Sequence, residues 1–283
     1  MNKNHFFTLI MFFLLTYSKG YSQDLVLFKQ VDTTKLFIEI LYPENMDSSK
    51  DYPSMVFFFG GGWVHGDRTH FLDQAKYFTK RGMVCFLADY RTESKNKTTP
   101  FESLKDAKSA IRYIRKHASD YGIDANKIVA SGGSAGGHLA CATALIETYN
   151  DAADDLSLNC KPNALVLFNP VFDNGPGGYG YERIGDAYKD FSPLHNIEKG
   201  APPTIVFLGT NDELIPVETA KYYQKVMEKV NSRCELILYK NQVHGFFNKF
   251  RSMKYFKSTL TEADKFLQSL GYLEKEPVIK IEK

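Results

Sequence analysis

Three side chains in this sequence, Ser134, Asp212 and His244, are of the types that nucleophilic acyl transfer needs, and each stands in a turn-forming context. Ser134 lies in Gly132-Gly133-Ser134-Ala135-Gly136, between the apolar Ile128-Val129-Ala130 and an alanine- and leucine-rich stretch, 138–149, that reads as a helix. A serine on a very tight strand-to-helix turn presents its hydroxyl outward, and such a turn closes only when its neighbours are small. The helix that follows aims its N-terminal N–H groups at the same point, where negative charge develops during acyl transfer. Asp212 ends Gly209-Thr210-Asn211-Asp212, with Pro216 four residues on, and His244 lies in Asn241-Gln242-Val243-His244-Gly245-Phe246. A hydroxyl is a weak nucleophile at its own pKa. An imidazole can take its proton, and a carboxylate can hold that imidazole in the required tautomer.

These groups meet only if a scaffold gathers three distant loops. Residues 25–30 and the alternating 35–42 read as two strands with an antiparallel start, and 54–59, 83–88, 164–168, 204–208 and 235–239 as short buried strands. Helical patterns fall at 71–80, 217–230 and 252–269. Phe101, Leu104, Ala107, Ile111, Ile114 and Ala118 recur at helical spacing, with lysines and arginines between them, so 101–118 is an amphipathic helix. Buried strands alternating with helices predict an α/β fold: a mostly parallel sheet covered by helices on both faces. In such a sheet ligands bind beyond the carboxyl ends of the strands, where all three candidates fall. One domain over 23–273 is expected, with a glycine-rich loop at 174–180 and a charged tail at 274–283.

The chain has 283 residues, 43% hydrophobic and 24% charged, an ordinary globular composition. Residues 1–22 combine a short start carrying Lys3, an apolar run of about ten residues (6–15), and small residues at Gly20 and Ser22. This is the pattern of a secretory signal peptide cut before Gln23. The run is too short to span a bilayer, which takes about 20 residues, and no cysteine follows it to carry a lipid anchor. Removing 1–22 takes away Lys3 and Lys19 and no acid, which brings the 35 basic residues level with the 33 acidic ones. That balance argues against nucleic acid or membrane partners, which call for a basic face, and leaves a polyanionic substrate open. Of the four cysteines, Cys85 and Cys141 read as buried free thiols. Whether Cys160 and Cys234 pair is left open by their spacing.

Five motifs come in order on the strand ends: Gly60-Gly61-Gly62-Trp63, Asp89-Tyr90-Arg91, Gly132 to Gly136, Gly209 to Asp212 with Pro216, and His244-Gly245-Phe246. Through them the chain, from about residue 52 to 270, resembles an α/β-hydrolase. Within that superfamily it is similar to small esterases related to hormone-sensitive lipase and to acetyl esterases of plant and algal polysaccharides. The resemblance implies the α/β-hydrolase fold, with Ser134 as nucleophile, His244 as base and Asp212, rather than the neighbouring Glu213, as the orienting acid. It implies an oxyanion hole made by the backbone N–H groups of Gly61, Gly62 and Ala135, and neither metal nor cofactor. The family has histidine before the three glycines where this chain has Phe59, a departure that bears on how the loop is braced rather than on the donors. Trp63 is expected in the pocket wall, and His65 and His70 as polar loop residues. His138 is expected to face packing, and Asp89, Arg91 and Asp106 to form structural ion pairs.

The expected activity is that of a secreted or periplasmic serine carboxylesterase acting on short acyl esters, acetyl above all, of a small alcohol or an acylated oligosaccharide. The strands are expected to begin within a few residues of the cleavage site, with no large N-terminal cap, which leaves the site open. The loop 172–191 carries Phe172, Tyr179, Tyr181 and Tyr188, which either offer faces to sugar rings or pack within the protein. Two other readings stand beside this one. An exported peptidase of the prolyl-oligopeptidase type shares fold and triad, but carries a propeller this chain lacks the length for. A non-catalytic binding module on a hydrolase scaffold usually loses triad members, and all three are kept here.

Overall fold

The computed structural model describes residues 23–275. The leader expected at 1–22 and residues 276–283 of the charged tail lie outside the described residues. Eight strands, β1 (Gln23–Val31), β2 (Thr34–Leu41), β3 (Tyr52–Phe58), β4 (Val84–Ala88), β5 (Ile123–Gly133), β6 (Ala164–Phe168), β7 (Thr204–Gly209) and β8 (Cys234–Tyr239), form one sheet. Its order is β1-β2-β4-β3-β5-β6-β7-β8. The β1–β2 and β2–β4 pairings are antiparallel and the other five parallel. The helices are α1 (Leu72–Lys80), α2 (Glu93–Asn96), α3 (Pro100–Lys116), α4 (Ala135–Leu145), α5 (Tyr181–Ile184), α6 (Tyr188–Phe191), α7 (Val217–Lys229) and α8 (Met253–Ser269). No helix among the described residues is long and apolar enough to cross a membrane.

Side chains alternate across the sheet into two cores, which is why the central strands read as unbroken apolar runs. Val56 and Phe58 of β3 pack with Leu104 and Ile111 of α3 and Leu139 of α4. Met55 and Phe57 face the other way, with Phe78 of α1 and Leu260 of α8. Each such buried side chain contributes about 1.5–3 kcal/mol. Local signals set the helix starts. Before α3, the Thr99 N–H donates to Glu102 Oε2 at 3.0 Å and Pro100 takes the first helical position. Before α8, Ser252 accepts from the Tyr255 N–H.

The structure departs from the sequence pattern around Ser134 and in the stretch after β6. β5 runs on to Gly133, because Gly132 and Gly133 still pair with Leu167 and Phe168 of β6, and α4 begins at once at Ala135, so the turn between them is Ser134 alone. The stretch 172–191 contains α5 and α6 rather than a plain loop. All four cysteines are free thiols, which settles the pairing of Cys160 and Cys234 in the negative.

A buried ion cluster ties the first strand to this frame. Asp106, on α3 and wholly buried, accepts Arg91 Nε at 2.7 Å and Nη2 at 2.8 Å, and Lys29 Nζ of β1 reaches it at 2.8 Å. Asp106→Ala leaves the buried Arg91 without its carboxylate, while Lys29 keeps Asp151 at 2.7 Å, so we expect it to cost about 3–5 kcal/mol in denaturant unfolding. A loss below 1 kcal/mol would mean that solvent screens the cluster.

Candidate active site

Ser134 has φ 55° and ψ −121°, a region that side-chain-bearing residues avoid at a cost of about 1–3 kcal/mol. Three close approaches hold it there. A Cβ added at Gly136 would lie 2.1 Å from the Phe58 carbonyl oxygen and 2.2 Å from that of Phe59, and one at Gly132 would lie 2.4 Å from the Gly136 oxygen. Only glycine lets β3, β5 and α4 come this near. The Ser134 N–H donates to the Phe168 oxygen at 3.0 Å, and its own carbonyl accepts the His138 N–H at 2.9 Å, in the first turn of α4.

The segment after β3 curls back over this serine. Gly61 (φ 124°) and Gly62 (φ 66°) take left-handed conformations, and a side chain at Gly61 would strike the His65 carbonyl at 2.1 Å. Among the described residues the N–H groups of Gly61 and Gly62 have no hydrogen-bond acceptor, and the Ala135 N–H opens the first turn of α4. Phe59 is braced by Tyr90, whose hydroxyl donates to its carbonyl at 2.8 Å and whose ring stacks on it at 3.9 Å.

Asp212 follows β7 and His244 follows β8, and these adjacent strands bring the two together: His244 Nδ1 lies 2.8 Å from Asp212 Oδ2. The Asp212 side chain is fully buried. Its other oxygen accepts the N–H groups of Leu214 at 3.0 Å and Ile215 at 2.9 Å. A proton on Nδ1, donated to the carboxylate, leaves Nε2 as a lone-pair acceptor. Asn169, after β6, stands between the serine and histidine loops. Its Oδ1 accepts the Gly245 N–H at 2.9 Å and its Nδ2 lies 3.4 Å from His244 Nε2. Ser134 Oγ and Nε2 make no hydrogen bond to each other but line one cavity of about 580 Å³, a spacing that commonly tightens when substrate binds. Gly60, Gly61, Gly62, Tyr179, Arg183 and Asn248 are among the residues that line this cavity. Among the described residues no group of three or more His, Cys, Asp or Glu is placed to hold a metal ion.

The structure thus brings Ser134, His244, Gly61 and Gly62 to one cavity, with Asp212 behind the imidazole and Ala135 at the helix start beside the serine. It corrects two pocket assignments. Trp63 is 1% exposed: with φ 61° after Gly62, the chain turns its indole beneath the loop, edge-on to His138 at 5.0 Å. Phe172 is stacked on Tyr223 of α7 at 3.8 Å, inside the core. Tyr179 does line the cavity, whereas Tyr181 and Tyr188 pack against each other. Glu213 is exposed. Arg91 pairs with Asp106 and Asp89 with Arg68, as structural ion pairs. His70 is more than a polar loop residue, since both its nitrogens are engaged: Nδ1 accepts the Gly60 N–H at 3.0 Å and Nε2 lies 2.9 Å from Asn248 Oδ1. Sequence reasoning passed over Asn169 and Asn248. The one signal for Asn169 is its place before Pro170 at a strand end, where its φ of 35° suits asparagine.

Residues 38–173 match the BD-FAE family and residues 177–271 the dienelactone hydrolase family. Among solved structures the chain is similar to esterase 2 of Thermogutta terrifontis phosphorylated by paraoxon, with TM-score 0.86 and 40% identity, covering 90% of this chain and 96% of that one. The butyrate-bound esterase of that organism gives TM-score 0.85 at 38% identity, again over 90% and 96%. An acetylxylan esterase of Xylanibacter ruminicola is 26% identical over 78% of this chain and 46% of its own length. A probable isoprenylcysteine alpha-carbonyl methylesterase of Arabidopsis thaliana is 24% identical over 73% and 48%. The chain spans about half the length of the curated relatives it matches.

His138 lies one turn after Ser134, wholly buried, with Nε2 3.0 Å from the Phe191 carbonyl. Burial disfavours its charged form and holds its pKa down to about 3. The unfolded chain takes up this proton near pH 6.5 and the folded chain does not until about pH 3, so stability present above pH 6.5 is lost progressively as pH falls through that window. Denaturant unfolding between pH 7 and 4 should show this fall, and His138→Gln, which cannot titrate, should flatten it. An unchanged slope in the variant would place the acid sensitivity elsewhere.

Proposed function

Because the chain belongs to the α/β-hydrolase esterases, we propose that it is a serine carboxylesterase in which Ser134, His244 and Asp212 act as a triad. The observation that carries the reading is Ser134, held at φ 55° on a cavity that it shares with Nε2 of an imidazole fixed by Asp212 at 2.8 Å. In this mechanism Nε2 takes the Ser134 proton as Oγ attacks the ester carbonyl, and Asp212 stabilises the imidazolium. The oxyanion that forms is received by the N–H groups of Gly61, Gly62 and Ala135, donors that need no rearrangement as charge develops; each is worth roughly 10²–10³ in rate. The alcohol departs with the proton from Nε2, and water, activated by the same nitrogen, releases the acid.

The substrate in this reading is a short acyl ester, acetyl above all, of a small alcohol or an acylated oligosaccharide. A cavity of about 580 Å³ has to take both acyl and alcohol parts, which favours a short acyl chain beside a bulky alcohol. The butyrate-bound esterase and the acetylxylan esterase among the similar proteins point the same way. Tyr179 offers the one aromatic side chain of the 172–191 stretch that lines this cavity. The enzyme is exported by the leader at residues 1–22 and works in the periplasm or outside the cell.

The test is hydrolysis of chromogenic esters from acetate to octanoate by the wild type and Ser134→Ala in parallel. We expect turnover to be greatest on the shortest acyl groups and to fall by at least 10³-fold in Ser134→Ala, with the fold intact. Turnover that survives in the variant would remove Ser134 as nucleophile, and a preference for octanoate would overturn the substrate class. No turnover on any ester would favour a peptidase or a binding module instead. Asp212→Asn should lose up to about 10⁴-fold, by freeing the wrong tautomer, without a matching rise in KM.

A further inference from the structure

His70 sits at the back of the cavity, in a single turn of 3₁₀ helix, Arg68–Phe71. Asp67 caps that turn by accepting the Thr69 N–H at 2.9 Å. Its two nitrogens join the loops on either side of the reacting centre. One accepts from Gly60, the residue before the oxyanion glycines; the other meets Asn248, whose Nδ2 donates to the carbonyl of Gly245, the residue after His244, at 2.9 Å. The two ends decide the direction of every bond. A peptide N–H can only donate, so Nδ1 is the bare nitrogen and Nε2 carries the proton. A peptide carbonyl can only accept, so the Asn248 amide nitrogen faces Gly245 and its oxygen faces His70. With both nitrogens occupied His70 is no general base, and a second proton would set N–H against N–H at Gly60. Gly245 is gripped from its other side as well, by Asn169 Oδ1.

We propose that His70 is a positioning residue, a strut that sets the separation between the oxyanion donors at Gly61 and Gly62 and the imidazole of His244. The strut braces this loop, as the histidine before the glycines would in the family pattern, from eleven residues downstream of that position. It rests on the esterase reading above. The donors meet full negative charge only in the transition state, so displacing them by about 1 Å weakens that state, and the loss falls on kcat rather than KM.

The experiment measures kcat and KM on an acetate ester for the wild type, Ser134→Ala, His70→Ala, His70→Asn, Asn248→Ala and the His70→Ala/Asn248→Ala double variant, each checked for an unchanged far-UV spectrum. We expect His70→Ala to lower kcat about 10- to 100-fold with KM within about twofold, and Asn248→Ala to act in the same sense. The double variant should lose no more than the worse single variant, as for two links of one chain. His70→Asn, whose amide oxygen falls near the place of Nδ1 and can still accept from Gly60, should recover severalfold over alanine. A wild-type kcat in His70→Ala, a loss confined to KM, additive losses, or asparagine no better than alanine would each overturn the strut. If His70→Ala does not fold, the asparagine and Asn248 variants decide alone. A wild type without esterase activity would sink the esterase reading instead. In that case ¹⁵N NMR of His70 at pH 7 still judges the strut: the Nε2–H tautomer is expected, and an Nδ1–H tautomer would overturn it.

Discussion

The contact on which the rest of the site depends is that of Gly136 with the carbonyl oxygens of Phe58 and Phe59, where a Cβ would lie barely 2 Å from either. It lets the start of α4 lie directly on the end of β3. That one approach forces Ser134 into its strained backbone, because the chain must reverse within a single residue. It also sets Gly60, Gly61 and Gly62, which follow β3, beside the serine they overhang. Nucleophile and oxyanion donors therefore share a cause: they are adjacent because glycine removed the atom that would have held them apart.

The order of the strands supplies the remaining groups. β5, β6, β7 and β8 are consecutive parallel neighbours, so the segments leaving their carboxyl ends emerge along one rim in the sequence Ser134, Asn169, Asp212, His244. Asp212 and His244 are one strand apart and bond directly. The serine lies farther off, and the intervening position is held by Asn169, which fastens the backbone at Gly245 and keeps an amide near Nε2. A residue with no part in proton transfer thus fills the space that the sheet spacing leaves between the groups that have one.

Beneath the rim aromatic side chains pack against one another, which stiffens the loops from below. Trp63, His138 and Phe191 form one cluster under the oxyanion segment. The guanidinium of Arg183 lies over Trp63 and Tyr179 and donates to the Gly62 carbonyl. A buried carboxylate such as Asp212 is tolerated because two peptide N–H groups and an imidazole compensate it.

The amino-acid sequence by itself determined the alternation of strands and helices, the tight turn at Ser134 and the order serine, aspartate, histidine. Periodicity, glycine and turn chemistry are local, and they survive without knowledge of what packs where. Its reading of Asp89, Arg91 and Asp106 as structural ion-pairing groups also held, although which cation meets which carboxylate was decided by the fold. What only the tertiary structure decided is which way each loop side chain faces. Trp63 and Phe172 look like pocket aromatics in one dimension, yet a left-handed turn and a stack on Tyr223 send them into the core. His70 and Asn248 look like unremarkable loop residues, yet they meet across 178 positions of chain. Such contacts depend on where strands end in space, and sequence separation carries no record of that distance.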